Sequence, residues 1–225
     1  PLMSAMKHSD ASNRTPSANA PEKGAFYILK PDGRGGGPGH GVVFENRKDI
    51  PAAHPSFGPT LAALEIVPRL RYDPKEGTYP NDLDASFRGY WLVSEALKRV
   101  FESVDPTGFA FKPCIFTLPD GSPAAPHYFC QVLRVLDALD EEASTLKIET
   151  GDYINGKFYS TFAASLTFKR EVVGDAHVFR TPYTDQVFCD RAMRDALLDA
   201  GFGLPRDTRG VWLYDAADTA DLVNP

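Results

Sequence analysis

The eight residues Gly151-Asp152-Tyr153-Ile154-Asn155-Gly156-Lys157-Phe158 come nearest to a catalytic signature. They fit GxxxxGK, the loop whose backbone N–H groups cradle phosphates and whose lysine reaches them. The next position must be Ser or Thr to hold magnesium, and Phe158 stands there. A helix must follow, whereas Lys157 to Phe162 has the composition of a strand. Asn155-Gly156 between Tyr153-Ile154 and Phe158-Tyr159 is instead a hairpin signal, because both residues tolerate the positive φ of a tight turn. The glycine-rich run Gly33 to Gly41 fails GxGxxG in each register, the last glycine being replaced by Pro38, His40 or Val42. It reads as a surface loop. Asp82-Leu83-Asp84-Ala85-Ser86 begins like a calcium loop, but Phe87 takes the place of the turn glycine and Val93 that of the bidentate glutamate. It reads as a polar turn before a helix.

Nucleophile–base chemistry has few carriers. The cysteines are Cys114, Cys130 and Cys189, and the histidines His8, His40, His54, His127 and His177. No two histidines have metal-ligand spacing, and HExxH, CxxC and GxSxG are all missing, so no metal or cofactor is expected. An enzyme would need His127 or His177 to meet Cys130 or Cys189 in space, a dispersed Cys-His site for a hydrolase or transferase. Free cysteines on apolar faces are more often small core residues. Thirty Asp and Glu residues make chance carboxylate pairs inevitable. One cluster differs in kind: Asp137, Asp140, Glu141 and Glu142 follow a strand as a compact acidic group. It is either a solvated turn or a negative rim that meets a basic partner, where it would set association rate and register more than affinity.

The elements that must position these groups are legible from about residue 86. Ser94 to Phe101 has helical spacing with Val93, Leu97, Val100 and Phe101 on one face. A second helix is expected after a cap at Thr184 or Asp185, with Cys189, Ala192, Met193, Ala196, Leu197 and Ala200 inward and Gly201 closing it. Strands are expected at 25–29, 42–44, 63–71, 109–118, 127–136, 146–148, 165–169, 177–180 and 211–214. Strands in groups with two good helices, and no alternating βαβ units, point to an α+β fold with a mostly antiparallel sheet. Residues 1–23, rich in Ser, Ala, Asn and Pro, are expected to be a disordered tail. Residues 24–85 form a strand- and loop-rich part, and 86–217 a core packed with it as one domain. Asp215, Asp218 and Asp221 end the chain as a solvated acidic tail.

Composition narrows the function. The chain has 225 residues, 43% hydrophobic and 24% charged, with a net charge of −6 and a pI near 5.4. This is ordinary for a soluble globular protein. It disfavours a dedicated nucleic-acid binder, which needs a basic face. No stretch of 18 apolar residues suggests a membrane span, and Pro1 to Lys23 hold no signal-peptide core. Sparse, odd-numbered cysteines fit a cytoplasmic protein.

Several segments carry a resemblance. Tyr90-Trp91-Leu92-Val93-Ser94-Glu95-Ala96-Leu97, Gly108-Phe109-Ala110-Phe111-Lys112-Pro113-Cys114, Tyr128 to Val135, Leu136 to Asp140 and Ser144 are similar to bacterial immunity proteins. So are His177-Val178-Phe179-Arg180-Thr181-Pro182, Val187-Phe188-Cys189-Asp190 and the helix closing at Ala200-Gly201. The chain resembles immunity protein family eleven of the polymorphic toxin systems over roughly residues 86–215. The resemblance implies a non-enzymatic antitoxin, encoded beside a toxin delivered by contact-dependent or type VI secretion. Its partner would be the cognate toxin effector domain, such as a nuclease with a basic cleft. The resemblance carries over no catalytic residue and no fixed binding residue. An acidic surface suits a basic cleft. The acidic cluster is then the candidate toxin-binding group, and Tyr72, Tyr79, Tyr90, Trp91, Tyr153 and Tyr214 supply aromatic anchors, most of them expected in the core.

Overall fold

A computed structural model describes residues 19–53 and 61–222. Thirteen strands and three α-helices occur among them: β1 (Phe26–Pro31), β2 (Val42–Phe44), β3 (Arg69–Tyr72), β4 (Leu83–Phe87), β5 (Tyr90–Ser94), α1 (Glu95–Val104), β6 (Phe109–Pro113), β7 (Ile115–Thr117), β8 (His127–Val132), β9 (Thr145–Thr150), β10 (Lys157–Ser165), α2 (Arg170–Val173), β11 (Val178–Arg180), β12 (Val187–Asp190), α3 (Arg191–Asp199) and β13 (Val211–Asp215). The strands form two four-stranded sheets, β11-β12-β1-β13 and β4-β5-β8-β6, a three-stranded sheet β2-β3-β7 and the two-stranded β9-β10 ribbon. Pairing is antiparallel except between β3 and β7. The fold is α+β with mostly antiparallel sheets, as the sequence suggests.

Alternation along the strands builds three cores. Tyr27, Leu29, Val187, Cys189, Val211 and Leu213 face α1, α3 and the inner side of the second four-stranded sheet through Leu97, Phe101, Met193, Leu197, Val93 and Val132. The opposite side chains of the same strands, Phe26, Ile28, Phe179, Phe188, Trp212 and Tyr214, pack with Tyr159, Leu166 and Phe168 beneath the β9–β10 ribbon. The far side of the second sheet, with Leu92 and Phe129, covers the small sheet through Leu70 and Phe116. This period of two makes each strand of the large sheets serve two cores.

Several expectations change. The polar turn at 82–86 is the strand β4, hairpinned to β5 through a turn at Arg88 (φ 57°) and Gly89. The expected strand at 63–71 exists only from Arg69, after a short 3₁₀ turn at Leu61–Ala63. The run 109–118 is two strands that part at Cys114, β6 pairing with β8 and β7 with β3. The strand expected to reach residue 136 stops at Val132. Ser94 caps α1 by accepting the Leu97 N–H. The second long helix is capped by Asp190, not Thr184 or Asp185, because Val187–Cys189 are drawn into β12 between β1 and β11. Gly201 follows that helix with φ +88°, the left-handed conformation expected of a C-terminal glycine. The end of the chain is not simply a solvated tail. Asp215 accepts the Gly24 N–H at 2.7 Å, and Ala216 and Thr219 are buried.

The expected tail falls partly on residues 1–18, outside the described residues, and partly on 19–23. There Asn19 donates to Asp140 at 2.9 Å and to the Phe168 carbonyl at 3.2 Å, and Lys23 pairs with Asp218 at 3.3 Å.

Candidate functional site

The acidic cluster and the hairpin signal meet in one place. β9 and β10 run antiparallel from Lys157 opposite Thr150 to Ser160 opposite Lys147. The connecting loop is longer than the two residues expected. Tyr153 and Ile154 lie in it, and its turn is closed by the Gly156 N–H to the Tyr153 carbonyl at 2.8 Å. Gly156 has φ +84°, the positive value that the Asn-Gly pair signals. Asn155 donates from Nδ2 to the Pro182 carbonyl at 2.7 Å, tying the hairpin tip to the turn before β12. The groove between them encloses about 310 Å³ and is walled by Tyr153, Ile154, Phe158 and Tyr183, with Asp152 and Asp185 at its lip. Tyr153 stacks on Phe158 with centroids 5.5 Å apart.

The loop 137–142 enters this face through Lys157. Its ammonium pairs with Glu141 and lies 4.4 Å over the Tyr183 ring. The buried Tyr159 hydroxyl donates to the same Glu141 at 2.6 Å. Lys157, and then Tyr159, hold the Glu141 carboxyl below the usual glutamate range. Burial first, and Glu141 second, push the Tyr159 hydroxyl far above its ordinary value. Asp140 accepts from Asn19, which lowers its pKa, and from the Ala143 N–H at 3.1 Å. Two of the four carboxylates thus brace the loop. Glu142 is exposed, and so is Asp137, 3.5 Å from the Tyr183 hydroxyl. Glu149 adds a further carboxylate, bonded by the Tyr153 hydroxyl at 2.9 Å and by Lys147.

Beyond this face β10 carries a register break between Ser160 and Ser165. Ala163 there has φ +49°, and Phe162 is 87% exposed. Thr219 holds the break from behind. Its hydroxyl accepts the Ala164 N–H at 2.6 Å and donates to the Thr161 carbonyl at 2.7 Å. Of the six candidate aromatic anchors, Tyr90 and Tyr214 are buried, Tyr72 and Trp91 are half-buried, and Tyr79 and Tyr153 are exposed.

The thiol–imidazole groups are not brought together. His127 and Cys130 lie three apart on β8 and so on opposite faces. His127 sits 2.8 Å from the Ala125 carbonyl, edge-on to Phe116, and burial lowers its pKa. His177 bonds through Nδ1 to Asp190 at 2.7 Å, but the adjacent Cys189 points into the core. Burial pushes the Cys130 and Cys189 thiols well up, and that of Cys114 to about 12. Such thiols are protonated and poor nucleophiles. Among the described residues no group of three or more His, Cys, Asp or Glu could hold a metal ion, and no helix is long and apolar enough to cross a membrane. His8 and His54 lie outside the described residues. The 151–158 run opens onto strand β10 instead of the helix a phosphate loop requires.

The face is acidic and aromatic, and the His and Cys side chains described above do not assemble there. The profile of the Immunity protein family (Imm11) matches residues 25–218. The chain therefore belongs to this immunity protein family, whose role is defence against a toxin. The match begins well before residue 86 and takes in β1, the glycine-rich loop and the small sheet. No curated protein matches the chain.

Proposed function

We propose that this protein binds a cognate antibacterial toxin and neutralises it by covering the toxin's active site or its target-binding surface. The observation that carries the reading is the joining of the 137–142 loop to the β9–β10 ribbon. It sets Asp137, Glu149, Asp152 and Asp185 about a groove of Tyr153, Phe158 and Tyr183, with Lys157 paired to Glu141 beside it. Carboxylates around aromatic anchors suit a basic partner surface, which they steer into register while the aromatic groove supplies contact area. A nuclease toxin with a phosphate-binding cleft has that chemistry. Asp140 and Glu141 then act by holding the loop, and Asp137 and Glu142 by facing the partner. In this reading residues 24–217 work as one domain in the cytoplasm of the producing cell, against a toxin delivered by contact-dependent or type VI secretion.

The test is co-expression with the toxin domain encoded by the neighbouring gene, with a purification tag on one partner and cell survival as the second readout. A stable complex with restored growth is the expected result. Restored growth without a complex would overturn binding in favour of repair of the toxin's damage. Neither complex nor rescue would refute the pairing.

A further inference from the structure

The outer edge of β9 carries an inference about how the partner is held. Tyr159 donates its backbone N–H to the Tyr183 carbonyl at 2.8 Å, away from β9. In an antiparallel pair successive residues turn their N–H and C=O alternately toward and away from the neighbour. Phe158 and Ser160 therefore face β9, and their partners Glu149 and Lys147 face back. Leu146, Ile148 and Thr150 must then direct their N–H and C=O groups outward. Among the described residues nothing pairs with them. A row of unpaired backbone groups on a strand edge is a template for another strand.

The side chains say which strand fits. Leu146 and Ile148 are half-buried against the core beneath the ribbon, so an added strand would cover them with apolar residues at alternate positions. The chain from Asp140 to Asp152 carries Asp140, Glu141, Glu142, Glu149 and Asp152 against the single base Lys147. Both ends of the edge are thus acidic. A two-stranded ribbon is also marginal by itself and gains from a third strand. We infer that β9 receives an extended, basic segment of the toxin as a third, edge-added strand, a mode that rests on the toxin-binding reading above. Main-chain hydrogen bonds would hold the segment, the flanking carboxylates would select its charge, and Leu146 and Ile148 its apolar positions.

Residue-resolved amide hydrogen exchange tests this, on the full chain alone and with the catalytically silenced toxin domain from the neighbouring gene. In the free chain the amides of Ile148 and Thr150 should exchange fast and those of Lys147 and Glu149 slowly. In the complex, exchange at Leu146, Ile148 and Thr150 should slow by about tenfold or more. Thr150→Pro removes one outward donor at an exposed position. It should weaken binding by about tenfold while Thr150→Ala does not, with circular dichroism confirming that both variants fold. A complex whose edge amides still exchange fast overturns the edge-strand mode and leaves toxin binding standing. Edge amides already slow in the free chain, covered by its own N-terminal residues or by a second copy, also overturn it. Absence of any complex removes the toxin-binding reading, and this inference with it.

Discussion

Replacing Asp105 by Asn should cost about 3–5 kcal/mol of unfolding free energy, the range for removing one member of a buried ion pair. Asp105 closes α1 and is only 4% exposed. Its oxygens accept from Arg134 at 2.6 and 3.0 Å, from the His177 N–H at 2.9 Å and from the Val178 N–H at 3.1 Å. At about 1.5–3 kcal/mol for each bond to a charged group, four bonds would give about 6–12 kcal/mol. That figure overshoots, because taking the carboxylate and the guanidinium out of water removes several kcal/mol. Asparagine keeps the shape and one acceptor, loses the charge, and turns an NH₂ toward groups that are all donors. The assay is urea denaturation of both forms at pH 7, with an Asp105→Asn/Arg134→Leu double-mutant cycle to isolate the pair. A loss under about 1 kcal/mol would refute the argument that this carboxylate ties α1 and the β8 end to β11. Acid titration supplies a second arm. Burial alone would raise the Asp105 pKa, but Arg134 and the two backbone N–H groups bring it below the ordinary aspartate value. With the folded pKa depressed, the unfolded chain binds the proton more tightly. The contribution is therefore complete above the unfolded pKa of about 3.9 and is lost as pH falls through the folded value. The wild-type protein should lose stability steadily below about pH 4, and Asp105→Asn should lose less over the same window.

Thr219→Val leaves the Ala164 N–H and the Thr161 carbonyl without their hydroxyl partner, and should lower stability by about 1–3 kcal/mol in urea. Thr219→Ser, which keeps the hydroxyl, should lose less. Native protein at pH 8 should resist thiol reagents at the buried Cys130 and Cys189 and react at both in denaturant, since burial raises both thiols; rapid native labelling of either would contradict that burial. Asp190→Ala removes the α3 cap and should cost about 1 kcal/mol in thermal or urea unfolding. Asp137→Lys combined with Glu142→Lys should change stability by under about 0.5 kcal/mol. It should slow toxin association in a salt-dependent way, and unchanged stopped-flow rates would exclude these two residues from the interface.

Local signals account for the parts of the fold that the sequence discloses. α1 is readable because Ser94 is a good cap and Leu97 and Phe101 repeat at helical spacing. The β9–β10 ribbon is readable because Asn155-Gly156 has few other uses. α3 is misplaced at its start because Val187 to Cys189 continue the helical spacing backward, and both Asp185 and Asp190 can cap. The choice is made by pairing with β1, some 160 residues away in sequence. β4 is missed because its turn places Arg88, not only a glycine, at positive φ, and because Asp82 and Asp84 look like turn residues. The candidate face was half legible. The acidic residues announce a charged loop, but nothing local says that Lys157 and Tyr159 hold Glu141 or that Pro182 anchors the hairpin tip.

The place of β1 in its sheet has a consequence for synthesis. β1 lies between β12 and β13, so once made it completes neither edge until those two strands, far later in the chain, have followed. At about 5–20 residues per second the wait is roughly 10–40 s. During it Ile28 and Leu29, fully buried in the finished protein, have no permanent cover. Most of the pairing in this sheet is therefore long-range, which slows folding and exposes the nascent chain to chaperones. A reading frame interrupted anywhere before Val211 leaves β1 with a bare edge and two cores open, so truncated products should be cleared instead of offering partial protection.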